Sequence, residues 1–139
     1  MHYLIYISTA VNLFSDEELK DILLKSRKNN STNNISGILL YADGVFLQFL
    51  EGDETVVEQT YQRIGKDPRH KKLTVLIKGE HEGRAFPDWS MGYSTANKEF
   101  VDKMEGYINT SKPGALNLNE EYPAINVLKT FSENNKISV

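Results

Sequence analysis

Gln48 is a polar residue in apolar company. It sits inside Val45-Phe46-Leu47-Gln48-Phe49-Leu50, a run typical of a buried strand. A buried amide without partners costs roughly 1–3 kcal/mol by mutational measures, so Gln48 is expected to be hydrogen-bonded. Tyr6 raises the same question. It stands in Tyr3-Leu4-Ile5-Tyr6-Ile7-Ser8, on the opposite face from Ile5 and Ile7, and a buried phenol needs a partner. Asn29 and Asn30 are adjacent amides. They either close a helix, where asparagine is a common cap, or face a planar ligand with donors and acceptors on its edge. Trp89-Ser90-Met91 reads as a core strand with an aromatic anchor and a flexible filler.

Other chemistries find little support. The 139 residues include no cysteine, which removes disulfides, thiolate nucleophiles and Cys-based metal sites. His2, His70 and His81 are scattered without metal-ligand spacing, and no metal is expected. Glu51 and Glu54 invite a paired-carboxylate reading, but a strand end and a helix start are usual places for solvated acids. No P-loop, dinucleotide GxGxxG or hydrolase nucleophile motif is present. A small enzyme acting on acyl phosphates would need an anion cradle, which Thr9-Ala10-Val11-Asn12-Leu13-Phe14 does not offer. The formal net charge of −3 disfavours nucleic acid. The central strands also lack the basic-aromatic pattern of an RNA-binding sheet. Lys71-Lys72, beside Arg69 and His70, reads as a solvated loop.

These side chains need elements to position them. Hydrophobic residues make up 40% and charged residues 25%, the balance of a globular domain long enough to bury a core. Tyr3 to Ser8 is expected to be a strand. Ser15 with Glu18 is a capping-box signature. Leu19, Ile22 and Leu23 follow at helical spacing, which predicts a helix over 16–29, stopped by the polar run 29–34. Ile35 to Tyr41 is a second strand, and Asp43-Gly44 is a hairpin signal. Val45 to Glu51 is the third strand. Asp53 or Thr55 caps a second helix, with Val57, Tyr61 and Ile64 on one stripe, and Asp67-Pro68 ends it. Leu73 to Lys78 and Trp89 to Thr95 complete the sheet. The order β-α-β-β-α-β-β is a ferredoxin-like α+β plan with a mixed five-stranded sheet. Right-handed crossovers put both helices on one face, and the groove between them is a natural ligand site.

From Ala96 onward the pattern weakens. Lys98–Ile108 and Pro123–Phe131 read as short helices, the second carrying Ile125, Leu128 and Phe131. They could cover the open sheet face or contact another chain. The expected division is residues 1–96 as the ligand-binding domain and 97–139 as a helical extension. The first residues lack the pattern of a signal peptide and no apolar stretch approaches a membrane span, so a cytoplasmic protein is expected.

Taken together, five segments resemble the BLUF family of flavin photoreceptors. They are Leu4-Ile5-Tyr6-Ile7-Ser8, Asn29-Asn30 ahead of Ile35-Ser36-Gly37-Ile38-Leu39, Gly44 to Gly52 with its Phe46-Leu47-Gln48 and Leu50-Glu51-Gly52, Asp67-Pro68-Arg69-His70, and Phe86-Pro87-Asp88-Trp89-Ser90-Met91. The resemblance runs from Tyr3 to about Thr95.

It implies noncovalent flavin, FAD or FMN, between the two helices. Asn30 and Asn29 would bond the polar edge of the ring, Arg63 would reach the same edge, and Ile22 and Ile64 would sandwich it. Tyr6, Gln48, Trp89 and Met91 would form the photochemical switch. Tyr6 would donate an electron and a proton, and Gln48 would rotate or tautomerise. The implied function is a blue-light photoreceptor that is not itself an enzyme. No cyclase, phosphodiesterase or DNA-binding segment follows, so a separate signalling protein is the expected partner, with homo-oligomers typical of short BLUF proteins. The competing reading is a non-photoactive ferredoxin-like interaction scaffold, which the intact Tyr6 and Gln48 disfavour.

Overall fold

The aliphatic and aromatic residues after Met1 favour an extended chain, and they form β1 (His2–Ala10). The computed structural model describes residues 1–12, 15–42, 44–86, 90–95 and 131. After β1 come α1 (Asp16–Asn33), β2 (Ser36–Ala42), β3 (Val45–Gly52), α2 (Glu54–Ile64), β4 (His70–Glu80) and β5 (Gly92–Thr95). The sheet order is β4-β1-β3-β2-β5. β5 runs parallel to β2 and the other neighbours are antiparallel. This is the expected mixed five-stranded ferredoxin-like arrangement.

The helix starts follow their capping chemistry. The Glu18 amide donates to Ser15 Oγ at 3.2 Å, and Glu18 Oε1 accepts from the Ser15 amide at 3.2 Å. Asp53, rather than Thr55, caps α2, accepting from the Val56 amide at 3.3 Å. Ala42 pairs with Val45 across the β2–β3 turn, where Gly44 takes a positive φ of 82°, a conformation glycine adopts without penalty. Asp43 lies outside the described residues.

Three boundaries differ from the sequence expectation. Asn29 and Asn30 do not end α1, which continues to Asn33. Thr32 and Asn33 keep the last turn helical by donating to the carbonyls of Lys28 and Asn29. Asn34 ends the helix in the left-handed region, at φ 58°, a role asparagine shares with glycine. β4 is longer than 73–78 because its polar ends still pair with β1, from His2 opposite Glu80 to Ala10 opposite His70. β5 is shorter than 89–95. Ser90 and Met91 give their carbonyls to the side chains of Asn30 and Arg27 instead.

Alternation along the strands separates two cores. Leu4, Tyr6, Leu39, Phe46 and Leu50 pack under Leu19 and Leu23 of α1 and Val57 of α2, so both helices lie on one face. Tyr3, Ile5, Ile38, Leu40, Leu47 and Phe49 line the other face. Phe131 is helical and buried against this second face. The rest of the two expected tail helices, and Trp89, lie outside the described residues. No helix among the described residues is long and apolar enough to cross a membrane.

Glu51 overturns its expected solvation. It is 0% exposed on the face opposite the helices. Its carboxylate accepts from Ser36 Oγ at 2.8 Å, the Ala85 amide at 2.7 Å and the Phe86 amide at 2.8 Å. His81 Nε2 lies 3.3 Å from Glu51 Oε1. A strand end is a solvated place only when nothing folds over it, and here the 84–86 turn does.

Candidate functional site

β1 and β3 pair so that Tyr6 stands directly opposite Gln48. Both side chains point to the helix-covered face, and each is nearly fully buried. The Tyr6 hydroxyl donates to Gln48 Oε1 at 2.5 Å. Burial holds the Tyr6 phenol well above its ordinary range, and the nearby Tyr61 phenol and Asp67 carboxylate act in the same direction. Tyr6 is therefore a protonated donor. Gln48 Nε2 has a weaker partner, the Met91 thioether sulfur at 3.4 Å. An amide has two N–H groups and sulfur is a weak acceptor, so one end of Gln48 is firmly bonded and the other is loosely held.

A cleft opens beside this pair, between α1 and α2. Its volume is about 180 Å³, and it is partly open to solvent. Ile22 and Asn30 from α1 and Ile64 from α2 line it, together with Asn29 and Arg63. Each of these was expected at the site from the sequence. Met91 joins through its contact with Gln48.

Further residues line the same cleft: Lys25, Ser26, Leu39, Phe46, Thr60 and Asp67. The helical period gave a signal for two of them, since Ser26 follows Ile22 by four residues and Thr60 precedes Ile64 by four. Arg69 and His70 also line it, from the segment that reads as a motif in the sequence but as solvated in composition. Arg69 makes a fork to Asp67, with Nη2 to Oδ2 at 2.7 Å, and reaches Asp21 Oδ2 at 3.0 Å. It thus ties α1 to the start of β4. Hydrogen bonding to Arg69 lowers the Asp67 carboxyl below its usual range, while Lys25 first and Arg69 second do the same for Asp21. His70 Nε2 donates to the Ile64 carbonyl at 2.8 Å, so in the neutral ring Nδ1 accepts from Ser8 Oγ at 2.9 Å.

The donor set fits a planar, polar-edged aromatic ring. Ile22 and Ile64 offer apolar surfaces from facing helices. Asn30 is 2% exposed and donates to the Ser90 carbonyl at 2.8 Å. Its side-chain oxygen, Oδ1, accepts from none of the described residues. That oxygen and the loosely held Gln48 amide are suited to the edge of a flavin ring, which alternates N–H and C=O. The histidines that are scattered in sequence do not converge here, apart from His70. His2 lies at another corner, with Nδ1 3.1 Å from Glu80 and Nε2 3.3 Å from Glu58. Its ligating atoms and those of Glu54 and Glu80 fall within 4.8 Å of one another, and His2 is already engaged there by Glu80 and Glu58.

The comparisons with known proteins agree with this geometry. The profile of the BLUF family, described as sensors of blue light using FAD, matches residues 1–92. The photoactivated adenylate cyclase subunit beta of Euglena gracilis is 34% identical over 93 residues, which are 66% of this chain and 11% of that protein. The chain thus aligns with about a tenth of the curated relatives it matches. Among solved structures, BlsA in its photo-activated state is 33% identical, with a TM-score of 0.68 over 99% of this chain and 96% of that one. A bacterial light-regulated adenylyl cyclase is 31% identical, with a TM-score of 0.66, covering 99% of this chain and 35% of that one. A shared profile over the segment that builds the cleft, and a near full-length structural relative, lead to one conclusion: the chain belongs to the BLUF family of blue-light sensors that use flavin.

Proposed function

We propose that the Tyr6–Gln48 pair is the photochemical switch of this sensor and that FAD or FMN occupies the cleft between α1 and α2. The observation that carries this is the 2.5 Å hydrogen bond between a buried protonated phenol and an amide whose far end is weakly held. Asn30, Asn29 and Arg63 would hold the polar edge of the ring, and Ile22 and Ile64 its faces. A flavin held there would absorb blue light and supply, when excited, the one-electron acceptor for a neighbouring phenol.

The remaining steps belong to the protein. Tyr6 gives up an electron, and its proton moves along the bond to Gln48 Oε1. Gln48 then rotates or tautomerises, which exchanges its donor and acceptor ends. Tyr6 recovers its electron and proton, so nothing is consumed. A rotated Gln48 would turn its carbonyl toward Met91 sulfur, which has no proton to offer. The Met91 contact is therefore sensitive to the state of the amide, and Met91 leads directly into β5. Trp89 is part of the same proposed relay. The switch requires two arrangements separated by only a few kcal/mol.

The chain acts as a sensor without a reaction product of its own, assembles as a homo-oligomer and passes its state on by contact with a separate partner protein. Residues 97–139 would form the extension that carries this contact. In two of the relatives named above, the segment that matches this chain belongs to a photoactivated or light-regulated adenylate cyclase, an example of an output such a sensor serves.

The test is an absorption spectrum of the purified protein in darkness and immediately after blue light. The expected result is a flavin spectrum that shifts slightly to the red and recovers in the dark. Bound flavin without any shift would refute the switch. A protein that takes up no flavin would point to the scaffold reading.

A further inference from the structure

Glu51 and Gln48 share β3 but face opposite sides of the sheet, and both are tied to one short stretch of chain. Glu51 holds its upstream end through the amides of Ala85 and Phe86, at 2.7 and 2.8 Å. Gln48 touches its downstream end through Met91, at 3.4 Å. Only residues 87–90 separate Phe86 from Met91. β3 is flanked by β1 and β2, so its backbone is fixed on both sides. A change at Gln48 therefore reaches, through Met91, a segment whose upstream side Glu51 holds.

The chemistry of the anchor is more elaborate than packing needs. A fully buried carboxylate is tolerated only when its oxygens are well supplied with donors, and an apolar side chain could fill the same space. Here both oxygens are directed at the turn. Ser36 Oγ donates to the carboxylate and accepts from Arg84 Nη1 at 2.8 Å. Arg84 Nη2 also donates to the Asn34 carbonyl at 2.6 Å, at the C-terminus of α1. The same helix grips the far end of the stretch, through Asn30 to the Ser90 carbonyl and Arg27 to the Met91 carbonyl. The stretch is therefore clamped at its start by Glu51 and at its end by α1 and Gln48.

We propose that Glu51 is a positioning residue of the light switch: it fixes the 84–86 turn from the far side of the sheet and limits how far the Met91 segment yields when Gln48 changes its hydrogen bonds. The proposal rests on the sensor reading above. The anchor opposes withdrawal of Met91, so weakening it stabilises the lit arrangement and slows its decay.

Glu51→Gln in the full chain tests this, read by the dark-recovery rate of the red shift and by light-minus-dark hydrogen exchange. The expected result is a retained red shift with recovery slowed about tenfold, the scale of one altered charge-assisted hydrogen bond. Light-induced exchange, expected at residues 90–95 in the wild type, should spread to 84–86 in the variant. Arg84→Met removes the outer support and leaves the carboxylate in place, so it should slow recovery in the same direction and carries the test if Glu51→Gln does not fold. Ile38→Val trims the same apolar face while leaving every hydrogen bond of Glu51, Ser36 and Arg84 in place, and should recover at the wild-type rate. Recovery and exchange in the Glu51 and Arg84 variants that match those of Ile38→Val would overturn the anchor while the sensor reading stands. Absence of a red shift in the wild type would overturn both.

Discussion

Tyr6 and Gln48 are cross-strand partners on β1 and β3, and the phenol donates to the amide oxygen at 2.5 Å inside the helix-covered core. Their placement makes each the other's main hydrogen-bonding partner. Removing either one leaves the second buried and under-bonded, with different consequences for binding and for switching.

Tyr6→Phe keeps the ring and its packing and deletes only the hydroxyl. The variant should retain flavin and lose the red shift, with stability lowered by about 1–3 kcal/mol because Gln48 Oε1 loses its donor. Difference absorption and urea denaturation measure the two effects. A normal photocycle in this variant would remove Tyr6 as the donor.

Gln48→Leu replaces the amide by an apolar side chain of similar size. It should bind flavin and show no light-induced shift, because no group remains that can exchange donor for acceptor. The Tyr6 hydroxyl is left without its acceptor, so the variant should also be less stable than the wild type. An unchanged signalling-state spectrum would exclude Gln48 from the mechanism.

Gly37→Ala tests the fold beneath the site. A Cβ at Gly37 would lie 1.9 Å from the Phe49 carbonyl oxygen of the neighbouring strand, and a backbone atom cannot yield as a side chain can. The β2–β3 ladder must shift, and the loss should reach or exceed about 3 kcal/mol. Chemical denaturation that places the variant within experimental error of the wild type would contradict the close strand approach.

Acid should loosen the edge of the cleft. Asp67 is held below its ordinary value of 3.8, mainly by hydrogen bonding to Arg69, and Asp21 is lowered by Lys25 and then by Arg69. A depressed folded pKa means that the unfolded chain binds the proton more readily. The stabilisation is therefore complete above the ordinary carboxylate value and is lost as pH falls through the depressed one. Arg69→Met should be less stable than the wild type near neutrality, and the gap should close in strong acid. Denaturation curves across that pH range that stay parallel for the two proteins would rule this linkage out.

The sequence by itself determined the order of elements, the cap at Ser15, and the face each strand residue takes, because these depend on local period and local hydrogen bonding, while the structure chose Asp53 over Thr55 as the second cap. The sequence also marked Tyr6 and Gln48 as polar residues in apolar runs and Ile22 and Ile64 as members of helical stripes, while the resemblance to the BLUF family, not spacing, pointed to Asn30 as a ring contact. Tertiary structure decided what each polar group meets. Asn29 and Asn30 look like a helix end, yet side-chain bonds from Thr32 and Asn33 carry α1 onward to the true stop at Asn34. Glu51 looks solvated, yet a turn more than thirty residues later covers it, with Ala85 and Phe86 as its donors. Met91 looks like filler, yet its sulfur is the partner of Gln48 Nε2. These pairings join residues far apart in the chain, and only the stacking of strands and the path of the chain over the sheet bring them within hydrogen-bonding distance.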